Sequence, residues 1–257
     1  MCRLAAYAGP PISLEKFLLQ PEHSLVKQSW GPKEMREAKL NADGFGIAWF
    51  ADDQLPATYK NTHPIWSDAN LQSLGRSLVR PRWLAAVRSA TMVSDISLAN
   101  TQPFTNERIL FTHNGYLEDF AHAWRNEIRG ILRPEFEQLI HGTTDSEYLF
   151  ALFSQFYAKS GEIAAAMTEL VGLLEELARG KRALLSFIVS STAQLVALRH
   201  AIGDASPTLY YHIEETGAGK AVHIASESLT AHDGWTKIEE NRLLQVNENN
   251  EISSSAL

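Results

Sequence analysis

The chain contains a single cysteine, Cys2, and its position makes it the first candidate for chemistry. A small side chain at position 2 permits removal of Met1, which leaves a thiol and a free α-amine on one residue. Because such an amine has a pKa of about 7.7–8.0 and a thiol one of about 8.5, the amine can take the thiol proton near neutral pH. This is an activated nucleophile with its own base. The alternative is a small buried apolar side chain at the start of a strand.

The second candidate is the pair Asn114 and Gly115, in the THNG segment that follows a predicted strand at 108–111. The amide of Asn114 and the backbone N–H of Gly115 suit an oxyanion hole, since two donors aimed at one oxygen stabilise the transition state of acyl transfer. Asn-Gly is also a common β-turn sequence. The residues alone leave both interpretations open.

Two further candidates carry opposite charges. Arg88 follows an apolar strand predicted at 83–87, and its planar guanidinium suits a two-point grip on a carboxylate as well as a surface ion pair. Asp145 follows Thr144 at a predicted helix start, where Thr144 and Glu147 have the spacing of a capping box. The helix dipole stabilises an acid in the first turn, and such a carboxylate suits a substrate ammonium group.

Together these four features describe a site for an α-amino acid with an acyl group on its side chain, such as glutamine or another γ-glutamyl amide. The nine histidines show no metal-ligand spacing, and one cysteine excludes a cysteine-based zinc site, so we expect neither metal nor cofactor. The NADGFG segment at 41–46 lacks the lysine and the Ser or Thr of a phosphate-binding loop, and it predicts a turn into a strand.

Composition narrows the class of protein. The chain has 257 residues, of which 45% are hydrophobic, and 23 Lys and Arg against 30 Asp and Glu give a net charge of −7. Since nucleic-acid binding depends on basic clusters, we expect no nucleic-acid partner. The sequence contains no apolar stretch of membrane-spanning length and no signal peptide, so we expect a cytoplasmic protein without a membrane partner.

The elements that must position these residues follow from hydrophobic periodicity and turn residues. Helices are predicted at 67–78, 145–158 and 162–178. Strands are predicted at 4–8, 45–50, 83–87, 108–111, 183–190, 194–198, 209–212, 221–225 and 243–246. We therefore expect an α+β fold with sheets covered by helices, in a single domain over 2–257 whose tail at 247–257 is frayed.

The motifs, in this order, resemble the class II glutamine amidotransferase family of N-terminal nucleophile hydrolases. They are Met-Cys at the start, NADGFG at 41–46, RSAT at 88–91, NTQPF at 100–104, HNG at 113–115, DSE at 145–147 and ASESL at 225–229. CRL at 2–4, PEHSL at 21–25 and QS at 28–29 are similar to stand-alone members such as the ergothioneine-pathway γ-glutamyl amidohydrolase. Gln102 departs from the pattern, because many members have histidine there.

The resemblance implies a four-layer αββα sandwich with two antiparallel sheets. It implies that Cys2 is the nucleophile and forms a γ-glutamyl thioester, with Asn114 and Gly115 as oxyanion donors. The residues expected to bind the glutamyl group are Arg88, Thr91, His113 and Asp145.

Water is the expected acceptor of the glutamyl group. Ser89 and Met92 stand where ammonia-transferring synthases tend to have tryptophan and histidine, and the chain leaves no room for a synthase domain. We therefore expect hydrolysis of a small γ-glutamyl amide to glutamate and an amine.

The named candidate substrate is the γ-glutamyl hercynylcysteine sulfoxide of ergothioneine synthesis. Trp30 is expected either to face its trimethylammonium group or to lie in the core. The alternatives are a glutaminase subunit that supplies ammonia to a separate synthase chain and a catalytically silent binding module of the same fold. A homodimer is also left open.

Overall fold

The computed structural model describes residues 1–35, 40–90, 96–231 and 233–257, and it contains two antiparallel sheets. The strands of the first sheet are β1 (Arg3–Ser13), β2 (Phe45–Phe50), β3 (Pro56–Asn61), β4 (Val79–Val87), β9 (Tyr210–Thr216), β10 (Gly219–Ala225) and β11 (Trp235–Lys237). Their order in space is β11-β9-β10-β1-β4-β2-β3. The strand that begins directly after Cys2 is therefore the central strand of this sheet.

The second sheet has six strands. They are β5 (Phe104–Thr105), β6 (Leu110–Leu117), β7 (Ala183–Ser190), β8 (Leu195–Ile202), β12 (Arg242–Val246) and β13 (Ile252–Ala256). Their order in space is β13-β12-β8-β7-β6-β5. The two sheets pack face to face through an apolar core that includes Leu4, Leu84, Leu110 and Ile188.

Helices cover the outer face of each sheet. The first sheet is covered by α1 (Leu14–Leu18), α2 (Leu25–Trp30) and α3 (Leu71–Ser77), which share a second apolar core with β1, β2 and β4. The second sheet is covered by α4 (Arg125–Ile131), α5 (Pro134–Glu137), α6 (Asp145–Ser160) and α7 (Ile163–Ala178) around a third core. The order helix, sheet, sheet, helix confirms the predicted αββα sandwich.

The structure contradicts the sequence predictions at Asn114-Gly115 and in the tail, and it shortens the helix predicted at 67–78 to Leu71–Ser77. Asn114 and Gly115 lie inside β6, opposite Ser186 and Leu185 of β7, so the β-turn interpretation of Asn-Gly is wrong. The tail is not frayed over Ile252–Ala256, because this segment forms β13 and pairs with β12. In both places the backbone ladder of a neighbouring strand decides the structure, and local residue preferences do not.

Candidate active site

A cavity of about 610 Å³ lies where β1 begins and where β4 and β6 end. Four predicted site residues line it, namely Cys2, Arg88, Gly115 and Asp145. Met1 lines the same cavity. This volume is typical of small-molecule sites in proteins. The fold therefore brings together a thiol, a cation and an acid that are widely separated along the chain.

The register of the first sheet places Cys2 near Arg88. In the antiparallel pair of β1 and β4, Arg3 lies opposite Val87. The residue before Arg3 and the residue after Val87 therefore leave the sheet at the same end. Cys2 is half-buried there, and Arg88 is 6% exposed.

The NADGFG segment at 41–46 fixes the backbone on either side of Arg88. The N–H of Arg88 donates to the carbonyl of Gly44 (2.8 Å), and the carbonyl of Arg88 accepts from the N–H of Asp43 (3.1 Å). The Asp43 carboxylate then accepts from the N–H of Ala90 (2.7 Å). Gly44 has φ +107°, which favours glycine. The segment is thus a turn into β2, as predicted, and it also positions the cation of the site.

Asn114 is fully buried and has an unpartnered amide. Side chains alternate along β6, so Asn114 shares the inner face of the sheet with Leu110, whose side chain belongs to the core between the sheets. Cys2 packs against that same core. Neither polar atom of the Asn114 side chain has a hydrogen-bond partner among the described residues. Because such a group costs about 1–3 kcal/mol, it needs an explanation such as a bound ligand.

The next residue, Gly115, permits a close approach between strands. A Cβ at this position would overlap the carbonyl oxygen of Leu184 and crowd Nε2 of His113. Any side chain here would therefore push β6 away from β7. Gly115 lines the cavity, whereas the buried Asn114 next to it does not.

Asp145 is the first residue of α6, and its carboxylate is held from two sides. One oxygen accepts from the N–H of Leu117 at the end of β6 (2.8 Å), and the other accepts from the N–H of Ser146 (2.7 Å). These bonds tie the start of the helix to the strand that carries Asn114. The acid therefore has a fixed position in the cavity wall.

The predicted capping box at Thr144 and Glu147 is wrong. Thr144 is the N-cap residue, but its side chain makes no capping bond. Glu147 instead accepts from the N–H groups of His141 (2.9 Å) and Gly142 (2.6 Å), in the loop before the helix. Burial raises the pKa of Glu147, and these two bonds oppose that shift.

His113 lies behind the cavity wall and does not line it. Its Nε2–H donates to the carbonyl of Leu184 (2.9 Å), and its Nδ1 accepts from the hydroxyl of Ser146 (2.8 Å). Its ring stacks on Phe187, with 4.9 Å between centroids, and burial lowers its pKa, so the ring is neutral. Both ring nitrogens are used inside the protein. The geometry therefore favours a positioning role for His113 over the predicted contact with substrate.

Asn100 and Gln102 of the NTQPF segment hold the backbone around the site in place through their side-chain amides. The sequence analysis predicts no such role for either residue. The Gln102 side chain donates to the carbonyl of His113 (2.8 Å) and accepts from its N–H (2.6 Å). A primary amide presents a donor and an acceptor side by side, whereas one edge of an imidazole does not. Asn100 bonds in the same two-point manner to Thr143, through its N–H (2.8 Å) and its hydroxyl (3.1 Å). Both side chains line the cavity.

A buried ionic group, the Glu227 cluster, holds the residue that follows Cys2. Arg3 is 1% exposed and pairs with Glu227 (3.4 Å). Glu227 also accepts from Nε2 of His23 (2.8 Å) and from the N–H groups of Lys33 (2.8 Å) and Glu34 (3.1 Å). Burial acts to raise the pKa of Glu227, but these bonds and the Arg3 charge outweigh it and leave the pKa below its ordinary value.

The remaining predictions concern residues elsewhere. Thr91 lies outside the described residues. Trp30 is 54% exposed and does not line the cavity, so it is neither in the core nor at the site. Among the described residues, no group of three or more His, Cys, Asp or Glu is placed to hold a metal ion. No helix in that part of the chain has both the length and the apolar character needed to cross a membrane.

Two antiparallel sheets between helical layers, with a thiol at the start of the central strand, define the class of N-terminal nucleophile hydrolases. The chain belongs to the class-II glutamine amidotransferases, whose family model matches residues 28–255. It is an enzyme of the amidohydrolase type that this family contains.

Two relatives match nearly the whole chain. The γ-glutamyl-hercynylcysteine sulfoxide hydrolase of Mycolicibacterium smegmatis is 29% identical over 246 residues, which are 96% of each chain. The probable glutamine amidotransferase DUG3 of Saccharomyces cerevisiae is 28% identical over 293 residues, covering 96% of this chain and 82% of the relative.

Solved structures show the same fold. The glutamine aminotransferase class-II domain protein of Silicibacter pomeroyi superposes with a TM-score of 0.73 at 25% identity, covering 100% of this chain and 99% of that one. The glutamine phosphoribosylpyrophosphate amidotransferase of Bacillus subtilis gives a TM-score of 0.63 at 17% identity. It covers 99% of this chain and 49% of the larger protein, and it supports the fold alone.

Proposed function

We propose that this enzyme hydrolyses γ-glutamyl amides to glutamate and an amine, with Cys2 as the nucleophile. The observation that carries the proposal is the shared cavity of Cys2, Arg88, Gly115 and Asp145. The relatives named as a γ-glutamyl-hercynylcysteine sulfoxide hydrolase and as a glutamine amidotransferase add support. The γ-glutamyl conjugate of hercynylcysteine sulfoxide is the specific candidate substrate.

In this mechanism removal of Met1 frees the α-amine of Cys2 inside the cavity. The amine takes the thiol proton as the sulfur attacks the γ-carbonyl carbon of the substrate. The C–N bond then breaks, and the leaving amine departs with that proton. Water attacks the resulting thioester, which releases glutamate and regenerates the thiol.

Each of the other groups has a role in these steps. The Asn114 amide and the N–H of Gly115 bind the oxyanion that forms at the γ-carbonyl. Arg88 binds the α-carboxylate of the glutamyl group, and Asp145 binds its α-ammonium group. Thr91 is proposed to lie near that carboxylate, while His113 positions β6. The unpartnered Asn114 amide supports this assignment, because an oxyanion would supply the acceptor that it lacks.

The proposed setting is a single catalytic domain over 2–257 in the cytoplasm, acting on a small molecule. Water is the acceptor of the glutamyl group in this proposal. Transfer of ammonia to a separate synthase chain is the competing outcome, and it would appear as a partner that raises the rate of glutamine cleavage.

The proposal is tested by measuring glutamate release from glutamine and from γ-glutamyl amides. Mass spectrometry first establishes whether the purified chain begins at Cys2. Cys2→Ala is expected to abolish turnover while its thermal unfolding matches the wild type, because the thiol has no role in the core beyond packing. A matched control retains Met1 through an uncleaved N-terminal tag, which blocks the amine and should also prevent turnover. An unchanged rate in Cys2→Ala would refute the nucleophile assignment.

A further inference from the structure

One wall of the cavity takes no part in the chemistry proposed above. The chain leaves β6 after Leu117, passes through Asp119 in the left-handed region (φ 57°) and makes a π-helical turn at Phe120–Trp124 before α4. Non-glycine residues in the left-handed region are uncommon. Turns of π-helix are rare in proteins, and those that occur are often found at functional sites. Cys2, Arg88 and Asp145 line the same cavity, so this wall is available to the leaving amine once those residues hold the glutamyl group.

The acidic side chains of this wall already have cationic partners. Glu118 pairs with Arg182 (3.0 Å). Asp119 pairs with Lys181 (3.5 Å) and with His122 (2.8 Å). The negative charges of these two carboxylates are therefore largely neutralised by neighbouring cations before a ligand enters the cavity.

Arg125 also lines the cavity, and it differs from these residues because it has no carboxylate partner among the described residues. Its guanidinium carbon is 5.2 Å from the centroid of the Phe120 ring, and Phe120 is in turn held edge-on by Tyr148 of α6 (5.0 Å, 76°). The Nε atom of Arg125 is buried and has no hydrogen-bond partner among the described residues. None of the acids in the described part of the chain forms an ion pair with it, whereas Arg129 on the same helix pairs with Glu137 (2.9 Å). The Phe120 ring therefore packs against this guanidinium, and no carboxylate of the described residues pairs with it.

We propose that Arg125 binds a carboxylate on the leaving amine, so that the preferred substrates are γ-glutamyl derivatives of α-amino acids. This inference rests on the proposed function and adds to it the residue that recognises the leaving amine. A γ-glutamyl amino acid carries two carboxylates and one ammonium group. Arg88, Arg125 and Asp145 match these three charges, and a guanidinium suits a planar carboxylate. Glutamine releases ammonia and leaves Arg125 without a partner.

The test compares γ-glutamyl-alanine with γ-glutamyl-alaninamide, which has the same size but no carboxylate. The wild type is expected to favour γ-glutamyl-alanine in kcat/KM by at least about tenfold, since a hydrogen bond to a charged group contributes roughly that factor or more. Arg125→Gln should lose this preference through a higher KM for γ-glutamyl-alanine, with little change for the alaninamide. Arg125→Lys keeps the charge and should retain part of the preference.

Arg129→Gln is the matched control, because Arg129 lies on the same helix and does not line the cavity. It should keep the wild-type preference. Equal hydrolysis of both substrates by the wild type, or an undiminished preference in Arg125→Gln, would overturn the inference and leave the proposed function intact. Hydrolysis of no γ-glutamyl amide at all would overturn the proposed function and this inference with it.

Discussion

Two buried polar regions of the molecule, the Glu227 cluster and the Asn114 side chain, differ in whether their acceptors and donors have hydrogen-bond partners. In the Glu227 cluster, the carboxylate receives bonds from one side chain and two backbone N–H groups and pairs with Arg3. Two nitrogens of Arg3 remain without a partner, but the acid is saturated. At Asn114 the side chain is equally buried, and both of its polar atoms lack a partner among the described residues.

On our proposal, this difference separates a group that stabilises the fold from a group that binds the substrate. A buried carboxylate whose oxygens accept hydrogen bonds supports a unique packing, whereas a buried amide without any partner costs free energy until something binds to it. We therefore expect substitutions in the two regions to affect different measurements. Changes in the Glu227 cluster should reduce stability, and a change at Asn114 should reduce the catalytic rate.

The largest expected effect on stability is that of Glu227→Gln. This change leaves the buried Arg3 charge without its counterion, and breaking a buried pair in this way costs about 3–5 kcal/mol. Urea unfolding monitored by tryptophan fluorescence measures the loss. Glu239→Gln is the control, because Glu239 is exposed and forms a surface pair with Arg242 that should contribute little. A loss as small as that of the control would show that the cluster does not stabilise the fold.

Asn114→Ala is expected to lower kcat by about 10²–10³, which corresponds to about 2.7–4 kcal/mol in the transition state. Its free energy of unfolding should be unchanged or slightly higher, because no hydrogen bond among the described residues is lost. Steady-state kinetics and urea unfolding of the same preparation test both parts. Asn106→Ala offers the opposite case, since Asn106 bonds to Ser154 (3.1 Å) away from the cavity and should matter for stability alone. If Asn114→Ala lost stability but kept its rate, Asn114 would be a structural residue and the proposed role in catalysis would be wrong.

The smallest expected effect is a change in acid sensitivity. Because the folded protein holds the pKa of Glu227 below its ordinary value, the ionised form stabilises the fold at a pH above that ordinary value. This stabilisation is lost as the pH falls through the lower, folded pKa. The free energy of unfolding should therefore fall more steeply for the wild type than for Glu227→Gln as the pH drops below the ordinary glutamate pKa of about 4.3. Parallel pH profiles of the two proteins would contradict this assignment.

The sequence was sufficient to find the charged and nucleophilic groups of the site, because their chemistry depends on residue type. Cys2, Arg88, Gly115 and Asp145 were each identified as candidates, and the fold brings them to one cavity. The long helices and most strands also follow from periodicity, since their apolar faces are continuous.

Support for the site was harder to predict, because it depends on contacts between distant segments. Gln102 departs from the family pattern, and the sequence does not show that its side-chain amide bonds to both the N–H and the carbonyl of His113. His113 carries no sign in the sequence that both of its ring nitrogens bond inside the protein. The strand pairing that places Asn114 inside β6 comes from β7, some 70 residues later, which no local turn preference reflects.

The placement of Cys2 directly before the central strand has a consequence for how this protein is made. Chain ends usually fray, but here the chain pairs with β4 from Arg3 and with β10 from Ala5, and Met1 lines the cavity. On our proposal, removal of Met1 frees the α-amine of Cys2 inside this cavity, and this amine serves as the base. An affinity tag belongs at the other terminus if the purified protein is to be assayed.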